Sequence, residues 1–229
     1  MSDSQRSMTR IPAPARIIAE IVWSLGLLVV VAPPLLADAL PRIVCLGTSL
    51  TAGFGLDDPD QAWPALVQKK VDAVGLRYKV VNAGVSGETS AGALRRMDWV
   101  LKEQAAVLVV ETGANDGLRG QDPAATRANI QGICDRARRQ SPPAKVVLVG
   151  MMAPSNLGAS YTQPFRALFP ALAKANGAAL VPFLLDGVAG VPRLNQADGI
   201  HPNAEGQRIV ADNVWRVLKP LLTPAGAKP

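Results

Sequence analysis

Five short apolar segments, each followed by a turn and a helical pattern, constrain the fold of this 229-residue chain most strongly. The segments that read as buried strands are 42–46, 78–82, 106–111, 145–149 and 179–181. Apolar residues at helical spacing mark the segments 62–74, 91–102, 123–139, 164–175 and 203–218. Strands that are apolar throughout and alternate with helices form a parallel sheet covered on both faces. The pattern therefore predicts an α/β fold, a three-layer α/β/α sandwich around a five-stranded parallel sheet.

The residues ahead of the first strand form a leader typical of exported proteins. Three arginines begin it with little acid nearby, Arg6, Arg10 and Arg16. The apolar run at 21–32 has about the length found in signal peptides, and it is shorter than the ~20 residues that span a bilayer. Ala37 and Ala39 then place small residues at the two positions that a signal peptidase reads.

We therefore expect 1–39 to be a signal peptide cleaved after Ala39, and 40–229 to be a single domain. The mature protein would then be secreted or periplasmic, with no stable membrane insertion. An uncleaved membrane anchor is the alternative, because Glu20 and the long stretch before the apolar run make the signal imperfect.

The net charge of +6 raises the question of an acidic partner. The basic residues, however, occur in small and separate groups on the predicted helices. Aromatic residues make up only 4% of the chain, so ring platforms for base stacking are scarce. The composition therefore argues against nucleic-acid binding, while weak attraction to anionic surfaces or substrates stays open.

The two cysteines lie in segments that are expected to be buried. Cys45 belongs to the first apolar strand, and Cys134 lies on a predicted helix beside Ile133. Two separate buried thiols are the favoured interpretation, although the sequence alone leaves a disulfide open. No Cys/His spacing typical of a metal site occurs, and we expect neither a metal nor a cofactor.

Histidine occurs once, at His201 in the run DGIHPN. It is the one side chain whose unperturbed pKa allows proton transfer in both directions near neutral pH. Asp198, three residues earlier, can orient the ring. Because there is no second imidazole, we assign any imidazole-like step in a pH–rate profile to His201. A structural histidine near a helix start and a metal ligand paired with Asp198 are the alternatives, but no suitably spaced third ligand is evident.

Small-residue turns follow the first three strands, whose carboxyl ends should meet at one edge of the sheet. The first turn presents Ser49, a candidate nucleophile at a strand-to-helix junction, where a helix N-terminus favours developing negative charge. The second turn contains Gly84 and Ser86, and the third contains Asn115 and Asp116. Each turn alone is also typical of an ordinary loop. We regard Ser86 as a weak candidate nucleophile and Asp116 as a residue that stabilises its turn.

Together the turns are far more specific, and the chain resembles the SGNH hydrolases, also called GDSL esterases and lipases. The blocks that carry the resemblance are GTSLTAGFG with Ser49, NAGVSGETS with Gly84, GANDGLRG with Asn115, and DGIHPN with His201. The longer strings VETGANDGLRG and DGIHPNAEGQ are similar to a bacterial secreted group of thioesterases, arylesterases and lysophospholipases. The resemblance covers essentially all of 40–229, and it implies a flavodoxin-like sheet and a monomer that needs no metal or cofactor.

The resemblance also implies a mechanism, ester or thioester hydrolysis by a serine nucleophile. Ser49 would attack the carbonyl carbon, and His201 would accept its proton and return it to the leaving group. Asp198 would hold the imidazole in the required tautomer. The oxyanion would lie between the backbone N–H groups of Ser49 and Gly84 and the side chain of Asn115.

One departure from the family pattern lies next to the proposed nucleophile. Thr48 stands where the family most often has aspartate. A threonine hydroxyl can still hydrogen-bond locally, so we expect the geometry of the turn to survive. The charge beside Ser49, and with it the rate and pH profile, is what the change affects.

By resemblance, the loops at 117–122 and 154–160 should wall the acyl pocket. The expected substrate-binding residues are Leu118, Pro154, Asn156 and Leu157, with Val191 as a further apolar candidate. Such a pocket suits short or medium acyl chains and aryl esters, and we expect broad specificity. A carbohydrate O-deacetylase on the same fold is the main alternative function, and a non-catalytic binding protein is a weaker one.

Overall fold

A five-stranded parallel sheet forms the centre of the protein. The computed structural model describes residues 40–142 and 144–222, so the predicted signal peptide at 1–39 lies outside the described residues. The strands are β1 (Arg42–Gly47), β2 (Lys79–Gly84), β3 (Val107–Glu111), β4 (Lys145–Val149) and β5 (Ala179–Val181). Their order is β2-β1-β3-β4-β5, and every neighbouring pair is parallel. This is the flavodoxin-like order, and it confirms the predicted fold class.

Helices cover both faces of the sheet. They are α1 (Ser49–Ala52), α2 (Trp63–Ala73), α3 (Ser90–Arg95), α4 (Met97–Val100), α5 (Ala114–Leu118), α6 (Pro123–Gln140), α7 (Ala159–Asn176) and α8 (Ala204–Leu218). α2 packs against α8, whereas α6 packs against α3, α4 and α7. Single 3₁₀ turns occur at Pro59–Gln61, Ser155–Leu157, Pro192–Leu194 and Lys219–Leu221. Among the described residues, none of the helices is long and apolar enough to cross a membrane.

The starts of the long helices follow from their first residues. Pro123 occupies the first turn of α6, where proline is favoured because it lacks the N–H that a first turn leaves unpaired. Asn203 caps α8 by accepting hydrogen bonds from the backbone N–H groups of Glu205 and Gly206. This cap fixes the direction in which the chain leaves His201.

Two helices differ from the sequence prediction. The single helix predicted at 91–102 is broken into α3 and α4 at Arg96 (φ −94°, ψ 6°). The Arg96 guanidinium turns inward to Glu88 and to the carbonyl oxygens of Gly47 and Ala83. α7 begins five residues earlier than predicted and contains Pro164. Its first turn is held by tertiary contacts, since the Tyr161 hydroxyl donates to the Gln121 carbonyl oxygen at 2.6 Å.

The core lies between the sheet and both helix layers. The central strands β1 and β3 are buried along nearly their whole length, as continuous apolar strands should be. Cys45 and Cys134 are both buried and unpaired, which confirms that they are two separate thiols. Burial raises the pKa of the Cys134 thiol to about 11 and that of Cys45 further, so neither is a reactive thiolate at neutral pH.

Candidate active site

Ser49, His201 and Asp198 lie in a hydrogen-bonded line at the carboxyl edge of the sheet. Ser49 is the first residue of α1, directly after the turn that ends β1. Its Oγ lies 3.0 Å from Nε2 of His201. The other ring nitrogen, Nδ1, lies 2.6 Å from Oδ2 of Asp198. A hydroxyl, an imidazole and a carboxylate in this order form the arrangement that activates a serine nucleophile.

The carboxylate of Asp198 is held in its charged form. Its Oδ1 accepts the backbone N–H groups of His201 and Ile200, each at 3.0 Å. These hydrogen bonds, led by the one from the His201 backbone, lower the pKa of Asp198 to about 2. At neutral pH the carboxylate therefore accepts the Nδ1 proton of His201 and leaves Nε2 free to accept from Ser49.

Two residues that the sequence reasoning missed hold His201 beside the serine turn. The Phe54 ring lies 4.8 Å from the imidazole, centroid to centroid. The backbone N–H of Gln196 donates to the His201 carbonyl oxygen at 2.8 Å, and its side chain donates to the Phe54 carbonyl oxygen at 2.7 Å. Gln196 thus connects the two loops that carry the nucleophile and the base. No local sequence signal marks this role, because the contacts join segments 142 residues apart.

Two of the three predicted oxyanion donors line the same cavity, Ser49 and Asn115. The backbone N–H of Ser49 belongs to the first turn of a helix, where amides have no intrahelical partner. Asn115 lies in the first turn of α5, and its side-chain nitrogen donates to the Glu88 carbonyl oxygen at 3.0 Å. The amide nitrogen carries a second proton, which remains available to a ligand.

The structure corrects the third predicted donor, Gly84. Its backbone N–H donates to Oδ1 of Asn82 at 2.9 Å, and Gly84 is not among the cavity-lining residues of the described chain. A Cβ at Gly84 would lie 2.3 Å from the backbone nitrogen of Ala52, so this glycine allows α1 to approach β2. Gly87, three residues on, lines the cavity and adopts φ +78°. Its N–H has no hydrogen-bond partner in 40–142 and 144–222, so Gly87 replaces Gly84 as the candidate donor.

A cavity of about 600 Å³ opens beside Ser49. Its apolar wall comprises Leu50, Phe54, Ala114, Leu118, Met151, Met152, Ala153, Pro154, Phe183, Leu185, Ala189 and Ile200. Leu118 and Pro154 belong to it, as predicted. Asn156, Leu157 and Val191 do not line it in the part of the chain that the structure describes. The reason is the 3₁₀ turn after Pro154, which leads the chain away from the cavity and into α7.

Four of the wall residues that sequence reasoning missed come from the ends of β4 and β5. Met151 and Met152 follow β4, and Phe183 and Leu185 follow β5. Their place in the sequence, directly after two strands, could have identified them, because ligands of open parallel sheets bind beyond the carboxyl ends of the strands.

Two buried acids lie near the site. Asp116 accepts hydrogen bonds from Ser90 of α3 and Thr126 of α6, so it joins its turn to these two helices. Glu111, which the sequence reasoning did not single out, accepts from Thr48 and Thr51. Burial raises the pKa of Glu111 to about 7. The assignment of any imidazole-like step in a pH–rate profile to His201 therefore stays a prediction, with Glu111 as a second candidate for a step near neutrality.

Within residues 40–142 and 144–222, no group of three or more His, Cys, Asp or Glu side chains could hold a metal ion.

Comparison with known proteins agrees with the geometry. Residues 45–209 match the model of the GDSL-like lipase/acylhydrolase family. The esterase TesA of Pseudomonas aeruginosa is 44% identical over 185 residues, which cover 80% of this chain and 90% of that protein. Thioesterase 1/protease 1/lysophospholipase L1 of Escherichia coli K12 is 36% identical over 201 residues, covering 87% and 94%. The crystal structure of TesA matches with a TM-score of 0.75 over 79% of this chain and 99% of that chain.

Proposed function

The chain belongs to the GDSL-like lipase/acylhydrolase family. We propose that it hydrolyses esters through an acyl-enzyme on Ser49. It is a serine hydrolase that acts on ester and thioester bonds, and its relatives include an esterase, a thioesterase and an arylesterase. The observation that carries the proposal is the line from Ser49 Oγ to His201 Nε2 at 3.0 Å and from His201 Nδ1 to Asp198 at 2.6 Å.

In the proposed reaction, His201 Nε2 takes the proton of the Ser49 hydroxyl as Oγ bonds to the substrate carbonyl carbon. The carbonyl oxygen becomes an oxyanion that accepts from the N–H groups of Ser49 and Gly87 and from Asn115 Nδ2. His201 then gives the proton to the leaving alcohol or thiol, and Ser49 carries the acyl group. Water, deprotonated by His201, attacks the acyl carbon, and the proton returns to Ser49 as the carboxylic acid leaves.

The cavity favours an acyl or aryl group over a sugar. Its volume lies in the range typical of small-molecule sites, and His201 is the only ionisable side chain among its described lining residues. The Asn195 side-chain nitrogen, which could have offered a donor, is bonded to the carbonyl oxygens of Val188 and Val191. The Asn195 Oδ1 has no hydrogen-bond partner among the described residues, but a single buried acceptor offers little recognition to the several hydroxyls of a sugar. We infer that aryl esters, acyl thioesters and lysophospholipids are the substrate classes.

A substrate panel tests this inference. We expect kcat/KM for nitrophenyl esters to rise at least tenfold from acetate to hexanoate, because each buried CH₂ contributes ~0.8 kcal/mol. Acyl-CoA and lysophospholipid should be hydrolysed, and acetylated sugars should be the poorest substrates. The rates are measured with the Ser49→Ala variant as the background. A preference for acetylated sugars over aryl esters and thioesters would instead identify a carbohydrate deacetylase.

We further propose that 1–39 is a signal peptide and that the mature protein is periplasmic or secreted. The arginines, apolar run and small residues of the leader support this, and the family match begins only at Cys45. The intact mass of the exported protein should correspond to a chain that starts at Leu40. A mass that includes Met1 to Ala39 would favour an uncleaved anchor.

A further inference from the structure

The buried carboxyl of Glu111 lies directly against the turn that carries Ser49. Glu111 is the last residue of β3 and is fully buried. Its Oε2 accepts the backbone N–H of Thr48 at 2.8 Å and the Thr51 hydroxyl at 2.8 Å. The Thr48 hydroxyl lies 3.1 Å from each carboxyl oxygen. One carboxyl thus binds the residue before the nucleophile and the second residue after it.

The other segments that bind this turn do so at its carbonyl oxygens, where Asn82 donates to Thr51 and Arg96 donates to Gly47. α1 has only four residues, and its N-cap residue Thr48 makes no capping hydrogen bond with its side chain. The Thr48 hydroxyl is instead bonded to Glu111. A Cβ at Gly47 would lie 2.8 Å from the Glu111 carboxyl and 1.9 Å from the Thr51 hydroxyl. The close approach of the carboxyl to the turn therefore requires the glycine that ends β1.

We propose that Glu111 is a positioning residue for Ser49, whose carboxylate fixes the nucleophile turn and whose protonation loosens it. The inference rests on the proposed function, because it assumes that Ser49 is the nucleophile. It also explains why a threonine suits position 48, where the family most often has aspartate. A threonine at this position donates a hydrogen bond to Glu111, whereas a second carboxylate there would repel it.

None of the other charged groups named below forms an ion pair or hydrogen bond with the Glu111 carboxyl in the described structure. Arg96 pairs with Glu88, and Asp116 accepts from Ser90 and Thr126. His201 is bonded to Asp198 and Ser49, while Arg42 and Lys145 lie at the opposite ends of the neighbouring strands.

The charge state of Glu111 is therefore set by burial, which raises its pKa to about 7, against the hydrogen bonds from Thr48 and Thr51, which lower it. As the pH falls through this value, one carboxyl oxygen gains a proton and loses acceptor capacity toward the turn. Activity should then fall by more than the protonation of His201 alone would cause.

Ionisation of Glu111 is expected to raise the activity of the enzyme but to lower the stability of its fold. A carboxyl whose pKa is raised on folding binds its proton more tightly in the folded state, so its charged form costs stability above that pKa. Glu111→Gln removes this cost and keeps an oxygen acceptor for the turn. We therefore expect the variant to be at least as heat-stable as the wild type at pH 8, and yet slower.

The experiment is a pH–rate profile from pH 5 to 9 on a nitrophenyl ester for the wild type, Glu111→Gln and Thr48→Val. In the wild type the acid limb of log kcat/KM should be steeper than slope one, because two protons act. Glu111→Gln should return the slope to one and lower kcat at pH 8 roughly tenfold with KM unchanged, less than the ~10²-fold that a 1 Å misplacement can cost. Thr48→Val removes one donor to the carboxylate, so its acid limb should shift to higher pH.

Thr112→Val is the matched control. Thr112 is the next residue after Glu111, and its buried hydroxyl has no hydrogen-bond partner among the described residues. Its pH profile should equal that of the wild type. A Glu111→Gln variant with the wild-type slope and kcat would overturn the inference. If that variant does not fold, a Thr48→Val variant whose acid limb of log kcat/KM lies at the same pH as that of the wild type would overturn it instead. The proposed function would survive either result as long as Ser49→Ala remains inactive.

Discussion

Replacing Ser49 by alanine is expected to lower kcat for nitrophenyl ester hydrolysis at least ~10⁴-fold, as removal of a triad nucleophile does in other serine hydrolases. The variant leaves His201 with no hydroxyl to deprotonate, so no acyl-enzyme forms. The oxyanion donors and the cavity remain, and they account for any residual rate. Steady-state kinetics give the loss, and labelling by a fluorophosphonate probe, which requires the serine oxygen, should disappear in parallel.

Ser86→Ala is the matched control for this prediction. Ser86 is the other serine that lines the cavity, and no described hydrogen bond joins its side chain to His201. Its activity should stay within about twofold of the wild type, within the range of a surface change with no special contact. Substantial activity in Ser49→Ala, or its loss in Ser86→Ala, would remove the basis for Ser49 as the nucleophile. The two variants should melt at the same temperature as the wild type.

The sheet could be predicted because its strands are buried on both faces. A strand such as β3, apolar over Val107–Val110, has only one environment in which it is stable. The break between α3 and α4 could not be predicted in this way. It depends on Arg96 reaching the carbonyl oxygens of Gly47 and Ala83, and those contacts exist only once β1 and β2 are paired.

The candidate triad could also be anticipated, because Ser49 follows a strand and His201 is the only imidazole. The assignment of Gly84 to the oxyanion site rested on resemblance, and the block NAGVSGETS that carries it contains two glycines. β2 continues through Gly84, which pairs with Gly47 of β1, so the turn that faces the cavity begins after it and presents Gly87. The pairing of β1 with β2 therefore separates the two glycines, and the block alone does not.

The residues that no pattern indicated are those defined by long-range contacts. Glu111 ends an apolar run, where a charged residue usually marks the point at which a strand reaches solvent. Here it is fully buried, because the hydroxyls of Thr48 and Thr51 and a backbone N–H replace water. Phe54 gains its role only from the position of the His201 ring. Such roles depend on packing between segments and not on local sequence.

Asn115→Ala is the second variant with a large expected effect, a loss of ~10²–10³ in kcat, which is the usual cost of removing one oxyanion donor. The amide lines the cavity from the first turn of α5. In the proposed reaction its second proton binds charge that develops only in the transition state. KM should change little for that reason. Initial rates over a range of nitrophenyl ester concentrations separate the two parameters.

The same substitution also removes the hydrogen bond from Asn115 to the Glu88 carbonyl oxygen, so a structural explanation must be tested alongside. Asn129→Ala provides the comparison. Asn129 donates to the Ser90 hydroxyl from α6, close to the same segment but outside the cavity wall. If Asn129→Ala keeps wild-type kcat while Asn115→Ala loses it, transition-state stabilisation explains the loss. Equal losses would mean that loosening of the 88–90 segment is the cause, and a kcat within threefold of wild type would exclude Asn115 from the oxyanion site.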